Sequence, residues 1–214
     1  MKKGLFITLE GPDGSGKSTV ADILCKKLAA MNIDVVHTRE PGGIDIAEQI
    51  RSIILDPKNI KMDSRTEALL YAASRRQHLV ERVIPALKEK KLVLCERFLD
   101  SSIAYQGFAR KIGEKEVKDV NMFAIDEFMP SLTIYLDIDA KKGIKRIENR
   151  ASKDRLDKES IKFHNNVVKG YRKIVDKNKS RIKVVNADQE LEKVVEDCMK
   201  IITKYLYGKN YITK

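Results

Sequence analysis

A glycine-rich motif near the N-terminus constrains this chain more than any other feature of its sequence. The motif reads Gly-Pro-Asp-Gly-Ser-Gly-Lys-Ser over positions 11–18, between an apolar run at 5–9 and a helical apolar pattern. A strand, a loop and a helix in this order are the setting that a phosphate-binding loop requires. Its backbone N–H groups point inward at phosphate oxygens, and the helix N-terminus adds a positive dipole. The motif therefore predicts nucleoside triphosphate binding, with Lys17 on the terminal phosphates and Ser18 on Mg2+.

The length and composition predict one domain, spanning residues 1–214. A chain of 214 residues with 43% hydrophobic content can build one sizeable core. No apolar stretch reaches the roughly 18 residues of a membrane span, and the first strand begins directly after Met1-Lys2-Lys3. We therefore expect a cytoplasmic protein without a membrane partner. The three cysteines are far apart and lack metal-ligand spacing, so we expect free thiols.

The chain is basic, with 42 Lys and Arg against 31 acidic residues and a net charge of +11. Such a charge is typical of a nucleic-acid-binding protein, but it also suits a cleft that attracts a small polyanion. The lysines are dispersed along the chain, which is typical of solvated helix faces. This pattern favours a nucleotide substrate, and we expect no nucleic-acid partner.

Short apolar strands alternate with helical patterns along the whole chain. The predicted strands are 4–9, 34–38, 92–95, 132–136 and 182–186. The predicted helices are 17–31, 44–55, 64–90, 114–128, 140–150, 158–178 and 190–207. This order predicts an α/β fold with an open five-stranded parallel sheet covered by helices on both faces. Ligands of such sheets bind at the carboxyl ends of the strands.

Charged residues follow two of the predicted strands. Arg39 begins the sequence Arg-Glu-Pro-Gly-Gly after the second strand, and on its own this segment is typical of a plain turn. Glu96 and Arg97 follow the third strand. Glu96 suits a Mg2+-bound water and Arg97 a phosphate, although an ion pair that caps the strand is an alternative.

Two helical pairs suggest a surface that binds a nucleobase. Tyr71 and Arg75 are four residues apart on the long helix, as are Ser102 and Gln106 after the third strand, so each pair shares a helix face. An aromatic ring can stack on a base while the polar side chains read its edge. The alternatives are core packing for Tyr71, a surface charge for Arg75 and helix capping around Ser102.

A basic segment at about 145–158 interrupts two helical patterns with Ser and Asp residues. It contains Arg150 and Arg155 and is typical of a small mobile lid whose closure brings a cation to a transferring phosphoryl group. The alternative is a charged connection between helices.

Together these motifs resemble the bacterial thymidylate kinase family over nearly the whole chain. The resemblance implies a P-loop NTPase fold and transfer of a phosphoryl group from ATP to dTMP, giving dTDP for dTTP biosynthesis. It also implies Mg2+ as the cofactor and a homodimer. Because the phosphate loop has no arginine and the lid has two, the chain resembles the members with a catalytic arginine in the lid.

The resemblance also implies roles for individual residues. The ATP-binding residues would be Gly11, Pro12, Asp13, Gly14, Ser15, Gly16, Lys17, Ser18 and Thr19. The dTMP-binding residues would be Asp13, Arg39, Arg51, Tyr71, Arg75, Arg97, Ser102 and Gln106, with Asp13 on the sugar 3′-hydroxyl. The catalytic residues would be Lys17, Arg97, Arg150 and Arg155. Ser18 and, through water, Glu96 would hold the metal. Two positions depart from the common pattern, since Tyr71 replaces Phe and Glu96 replaces Asp.

Three other functions remain compatible with these motifs. A kinase for another nucleoside monophosphate or for a deoxynucleoside would share the phosphate loop. A nucleic-acid-stimulated ATPase would fit the positive charge, and an interaction module would bind nucleotide without turnover.

Overall fold

Five parallel strands form one sheet in the order β2-β3-β1-β4-β5. The computed structural model describes residues 4–148 and 153–212. The strands are β1 (Leu5–Glu10), β2 (Val35–Arg39), β3 (Leu92–Glu96), β4 (Leu132–Asp137) and β5 (Ile182–Asn186). Each differs from its predicted bounds by one residue at most, so the predicted sheet is confirmed.

Helices cover both faces of this sheet. They are α1 (Lys17–Ala30), α2 (Asp45–Leu55), α3 (Ser64–His78), α4 (Ile84–Lys88), α5 (Leu99–Ser102), α6 (Glu114–Ile125), α7 (Ala140–Ile147), α8 (Ile161–Lys177) and α9 (Leu191–Gly208). Two π-helical segments, Leu79–Val83 and Ile103–Ala109, follow α3 and α5. Among the residues that the structure describes, no helix is both long enough and apolar enough to span a membrane.

Alternate residues of β1 pack into two separate apolar cores. Leu5, Ile7 and Leu9 face α1 and α9. Phe6 faces the opposite way and packs edge-on against Phe98, with ring centroids 5.0 Å apart. Successive side chains of a strand point to opposite faces, so a strand covered on both sides reads as a continuous apolar run.

The strand register gathers polar residues at one edge of the sheet. Leu9 of β1 lies opposite Glu96 of β3, and Glu96 lies opposite Arg39 of β2. The phosphate loop leaves β1 at this same edge. The apolar strands thus bring three separate parts of the sequence to one place.

The predicted helix 64–90 is wrong in one respect, since it is not a single α-helix. The π-helical segment Leu79–Val83 separates α3 from α4. Pro85 lies just beyond it and has no N–H to donate to the previous turn, which breaks the regular α-helical pattern.

Two glycines join α7 to the phosphate loop. A Cβ on Gly143 would overlap the carbonyl oxygen of Asp13, and a Cβ on Gly14 would overlap the backbone of Gly143. Gly14 also has a φ of 76°, which glycine adopts far more easily than other residues. The backbone of α7, whose last residues begin the segment 145–158, therefore lies directly against the phosphate loop.

We expect Gly143→Ala to destabilise the protein by about 1–3 kcal/mol, because the added methyl group forces α7 away from the loop. Alanine favours helices over glycine, so intrinsic propensity alone would give the opposite sign. Gly208→Ala is the matched control, since a Cβ there meets nothing within 4 Å. Thermal unfolding measures both variants. A melting temperature of Gly143→Ala equal to or above that of the wild type would contradict the close contact.

Candidate active site

The phosphate loop between β1 and α1 is shaped by glycine. Gly14 and Gly16 have φ values of 76° and 85°, and Gly16 immediately precedes α1. The Nζ of Lys17 donates to the carbonyl oxygens of Gly11 and Pro12 at 3.0 and 2.9 Å. The amine is thus held in the loop, next to the N-terminus of the helix.

The environment of Lys17 disfavours its positive charge. Burial, reinforced by the nearby guanidinium of Arg97, lowers the pKa of this ammonium group from 10.5 to about 7. A phosphate anion in the loop would favour the charged form.

Ser18 and Glu96 place two oxygen atoms that could bind a metal side by side next to the loop. The hydroxyl of Ser18 donates to Oε2 of Glu96 at 2.6 Å, and His37 Nε2 lies 3.0 Å from Oε1 of Glu96. Burial opposes the charge of Glu96, but the hydrogen bonds with His37 and Ser18 outweigh it and lower the carboxyl pKa. Hydroxyl and carboxylate oxygens are the ligands that Mg2+ prefers, so this donor set fits the predicted ion. His37 was not predicted, because only the register of β2 and β3 places it there.

Asp13 and Arg97 face each other across the loop. Arg97 Nη2 lies 2.5 Å from Oδ1 of Asp13, and the Tyr105 hydroxyl donates to Oδ2 at 2.8 Å. Burial opposes the charge of Asp13, but Arg97 and Lys17 outweigh it and lower its pKa. The guanidinium of Arg97 also lies 5.0 Å from the centre of the Tyr105 ring. This arginine is held from several sides at the edge of the cleft.

The buried carboxylate of Glu10 holds the segment that follows Arg97. It accepts hydrogen bonds from the backbone N–H of Phe98 at 2.7 Å and from the hydroxyls of Ser101 and Tyr171 at 2.5 and 2.9 Å. Burial and the negative charge of Asp100 raise its pKa to about 7. The sequence analysis missed Glu10. Its only signal is an acidic residue at the end of an apolar strand.

One cleft of about 240 Å³ joins the phosphate loop to the predicted base-binding residues. Of the predicted residues, those on the cleft wall are Asp13, Gly14, Gly16, Lys17, Ser18, Thr19, Arg39, Arg51, Tyr71, Glu96, Arg97, Ser102 and Gln106. Gly11, Pro12 and Ser15 belong to the loop behind this surface. Residues from four separate parts of the sequence thus meet around one space.

Arg39 and Arg51 lie side by side at the rim of the cleft. Arg39 pairs with Glu48 at 2.8 Å, and both arginines donate to the carbonyl oxygen of Pro41, at 3.0 and 2.8 Å. Two guanidinium groups that share one neutral acceptor form a positive rim, which suits a phosphate.

Arg75 lies behind the cleft wall, where only 1% of its surface is exposed. Its Nε donates to Glu40 at 2.7 Å and its Nη1 to the Ser102 hydroxyl at 3.1 Å, with a further bond to Asn121. His78 completes this network by contacting Glu40 at 2.9 Å. The structure therefore places Arg75 next to a predicted base-reading residue, on the side away from the cleft.

Arg155 has internal partners. Its Nη2 donates to Glu67 at 2.7 Å and its Nε to the carbonyl oxygen of Ile54 at 2.8 Å, and its side chain is 8% exposed. Asp154 and Leu156 on either side line the cleft, whereas Arg155 packs against α2 and α3. Arg150, the other predicted lid arginine, lies outside the described residues.

Comparisons with known proteins agree on one family. A family model described as thymidylate kinase matches residues 9–198. The thymidylate kinase of Clostridium novyi is 57% identical over 92% of this chain and 97% of its own length. That of Oceanobacillus iheyensis is 54% identical over 96% and 92%. The crystal structure of thymidylate kinase from Ehrlichia chaffeensis superposes with a TM-score of 0.77 at 32% identity, covering 94% of this chain and 99% of the other.

We expect ATP binding at pH 8 to take up about one proton per chain, because phosphate oxygens raise the pKa of Lys17 above its free value of about 7. The third phosphate is already ionised at this pH, so it contributes little. Calorimetry in HEPES and in Tris, which differ in ionisation enthalpy, measures the uptake. The Lys17→Arg variant should bind ATP without taking up a proton, because arginine stays charged. Equal binding enthalpies in the two buffers would contradict the lowered pKa.

Proposed function

Because this chain belongs to the thymidylate kinase family, we propose that its cleft holds ATP on the phosphate loop and dTMP between α3 and the segment after β3. The enzyme is an ATP-dependent kinase that transfers a phosphoryl group to dTMP, giving dTDP and ADP. The observation that carries the placement of the two substrates is the single cleft shared by Lys17, Tyr71 and Gln106.

The donor half of the site is the loop and the start of α1. Residues 11–19 bind the ATP phosphates through backbone N–H groups, and Lys17 neutralises the terminal phosphates. Ser18 and, through water, Glu96 would hold Mg2+, since their oxygens lie together beside the loop. When bound, this ion would neutralise charge on the phosphate oxygens.

The acceptor half binds the phosphate and sugar of dTMP. Arg97, Arg39 and Arg51 line the cleft and bind the monophosphate. Asp13 receives the 3′-hydroxyl of the sugar while it keeps Arg97 in place. This arrangement favours a deoxynucleotide that carries a free 3′-hydroxyl.

The thymine ring stacks on Tyr71, and Ser102 and Gln106 read its edge. Burial raises the pKa of the Tyr71 hydroxyl, so it stays neutral at physiological pH. Arg75 acts on the base through the Ser102 hydroxyl, to which it donates at 3.1 Å. In this proposal Arg75 is a positioning residue.

Transfer proceeds without a strong general base. The dTMP phosphate is already anionic at neutral pH, since its second pKa is about 6, and its oxygen attacks the γ-phosphorus in line. Lys17 and Arg97 orient the groups and neutralise their charge. The lid at about 145–158 closes over the cleft and excludes water. With Arg155 held by Glu67, we assign the lid's cationic role to Arg150.

The remaining alternatives have less support. Family membership favours dTMP over other acceptors, and it does not favour a nucleic-acid-stimulated ATPase. The single domain and the cytoplasmic location stay predictions.

A coupled assay with ATP and a panel of monophosphates tests the proposal. We expect dTMP to be the best acceptor. Arg97→Ala should lower kcat/KM for dTMP by about 100-fold or more while the fold stays intact, because a positioned cation is lost from the transition state. The control is Arg172→Ala, since Arg172 is exposed and pairs with Asp137 and Asp139. A better acceptor than dTMP, or normal turnover by Arg97→Ala, would overturn the assignment.

We also propose that α3 and α6 form the homodimer face. Phe123 of α6 is 93% exposed, and Leu69 of α3 is 56% exposed. Arg76 lies two turns after Leu69, and its Nη1 donates to the carbonyl oxygen of Ala124 at 3.3 Å. Each of these two packed helices thus presents an exposed apolar residue, the kind of surface that a partner copy covers.

We expect Phe123→Glu to convert the dimer to a monomer, because a charge would be buried in an apolar contact. Light scattering coupled to size-exclusion chromatography measures the mass. Ile60→Glu is the control, since Ile60 is 80% exposed outside α3 and α6. A wild-type monomer, or a Phe123→Glu dimer, would refute this face.

A further inference from the structure

A second buried carboxylate, Glu67, lies beneath the base end of the cleft. It is on α3, one turn before Tyr71, and 1% of its surface is exposed. Its Oε2 binds Nη2 of Arg155 at 2.7 Å, and both of its oxygens lie 3.3 Å from Nε of Arg110. A carboxylate between two guanidinium groups accepts hydrogen bonds and has none to donate.

The third partner of Glu67 is the side-chain amide of Gln106. The Nε2 of Gln106 donates to Oε1 of Glu67 at 2.8 Å. The Oε1 of Gln106 is buried and has no hydrogen-bond partner in residues 4–148 and 153–212. An unpaired acceptor at such a depth is costly unless a ligand satisfies it. Gln106 also lines the cleft, so the ligand of this atom would come from the cleft.

A glutamine by itself does not specify which atom it offers. Its amide has a donor end and an acceptor end of nearly equal size, and it can turn to suit either kind of partner. Glu67 removes this freedom, because an acceptor that is held in place binds only the nitrogen end. The oxygen end is then the one available to a base.

We propose that Glu67 is a positioning residue that fixes the Gln106 amide and thereby selects the nucleobase, an inference that rests on the function proposed above. With Oε1 offered, Gln106 accepts the N3–H of thymine or uracil. Cytosine has an unprotonated N3, so the same geometry places two acceptors face to face. Selection against cytosine therefore depends on Glu67, which does not contact the base itself but fixes the amide of Gln106.

Ser102, which lies next to Gln106 in the proposed base site, is held so that it donates a hydrogen bond to the base, whereas Gln106 accepts one. Arg75 donates to the Ser102 oxygen at 3.1 Å, which leaves the Ser102 hydroxyl proton available to a base acceptor. A donor beside an acceptor complements the O4 and N3–H of thymine. It opposes the amino group and N3 of cytosine.

Glu67→Gln tests the proposal, because a neutral amide at position 67 binds either end of the Gln106 amide. Calorimetry on the full chain gives dissociation constants for dTMP, dUMP and dCMP. We expect the dCMP-to-dTMP ratio of these constants to fall by about tenfold or more, the effect of one mispaired hydrogen bond. The dUMP-to-dTMP ratio of dissociation constants should stay within about twofold of its wild-type value, because uracil and thymine present the same edge to Gln106.

Arg110→Gln is the matched control. It removes an ion pair of Glu67 but leaves the bond to Gln106, so the dCMP-to-dTMP ratio should not change. In the background of Gln106→Leu, adding Glu67→Gln should not change the ratio further, since the amide that Glu67 holds is gone. A purely structural role for Glu67 would change binding alike in both backgrounds.

The outcomes separate this inference from the proposed function. A wild-type protein that does not phosphorylate dTMP contradicts the function. An active wild type whose ratio survives Glu67→Gln, or falls equally in Arg110→Gln, overturns the role of Glu67. If Glu67→Gln does not fold, hydrogen exchange of the Gln106 Nε2 protons by NMR decides the question on the wild type. Protection with and without dTMP supports the proposal, and rapid exchange in the free protein overturns it.

Discussion

The register of three parallel strands is the constraint on which the site depends. β1 and β2 both pair with β3, so the phosphate loop, Arg39 and Glu96 end at the same edge of the sheet. The apolar residues of these strands fix that register, because a slip of one residue would turn every side chain to the wrong face. The geometry of the cleft is therefore set by the core of the protein.

Features of the sequence that depend on local chemistry could be predicted well. The five strands and the phosphate loop follow from short apolar runs and a fixed glycine spacing. The partners of the buried charges could not be predicted in this way. Glu10 reaches a hydroxyl 161 residues away, and Glu67 binds an arginine 88 residues away. No periodicity connects such positions, since only the completed fold brings them together.

The same limit explains why Arg75 and Arg155 looked like substrate-facing residues in the sequence. A charged residue near a functional motif has no visible partner until the fold supplies one. Glu40 and Glu67 supply these partners, and they hold the guanidinium groups inside the protein. The loss of such a buried arginine would leave a carboxylate without its ion-pair partner, at high energetic cost.

Each cation that faces the cleft already has an oxygen partner in the protein. Lys17 binds carbonyl groups of its own loop, Arg97 binds Asp13, and Arg39 binds Glu48. Incoming phosphates must therefore exchange with these internal partners, and a single weak anion gains little by doing so. Only a molecule that presents several anionic oxygens in the right places can complete the exchange. In this way a strongly basic protein can bind the inorganic anions of the surrounding solution only weakly.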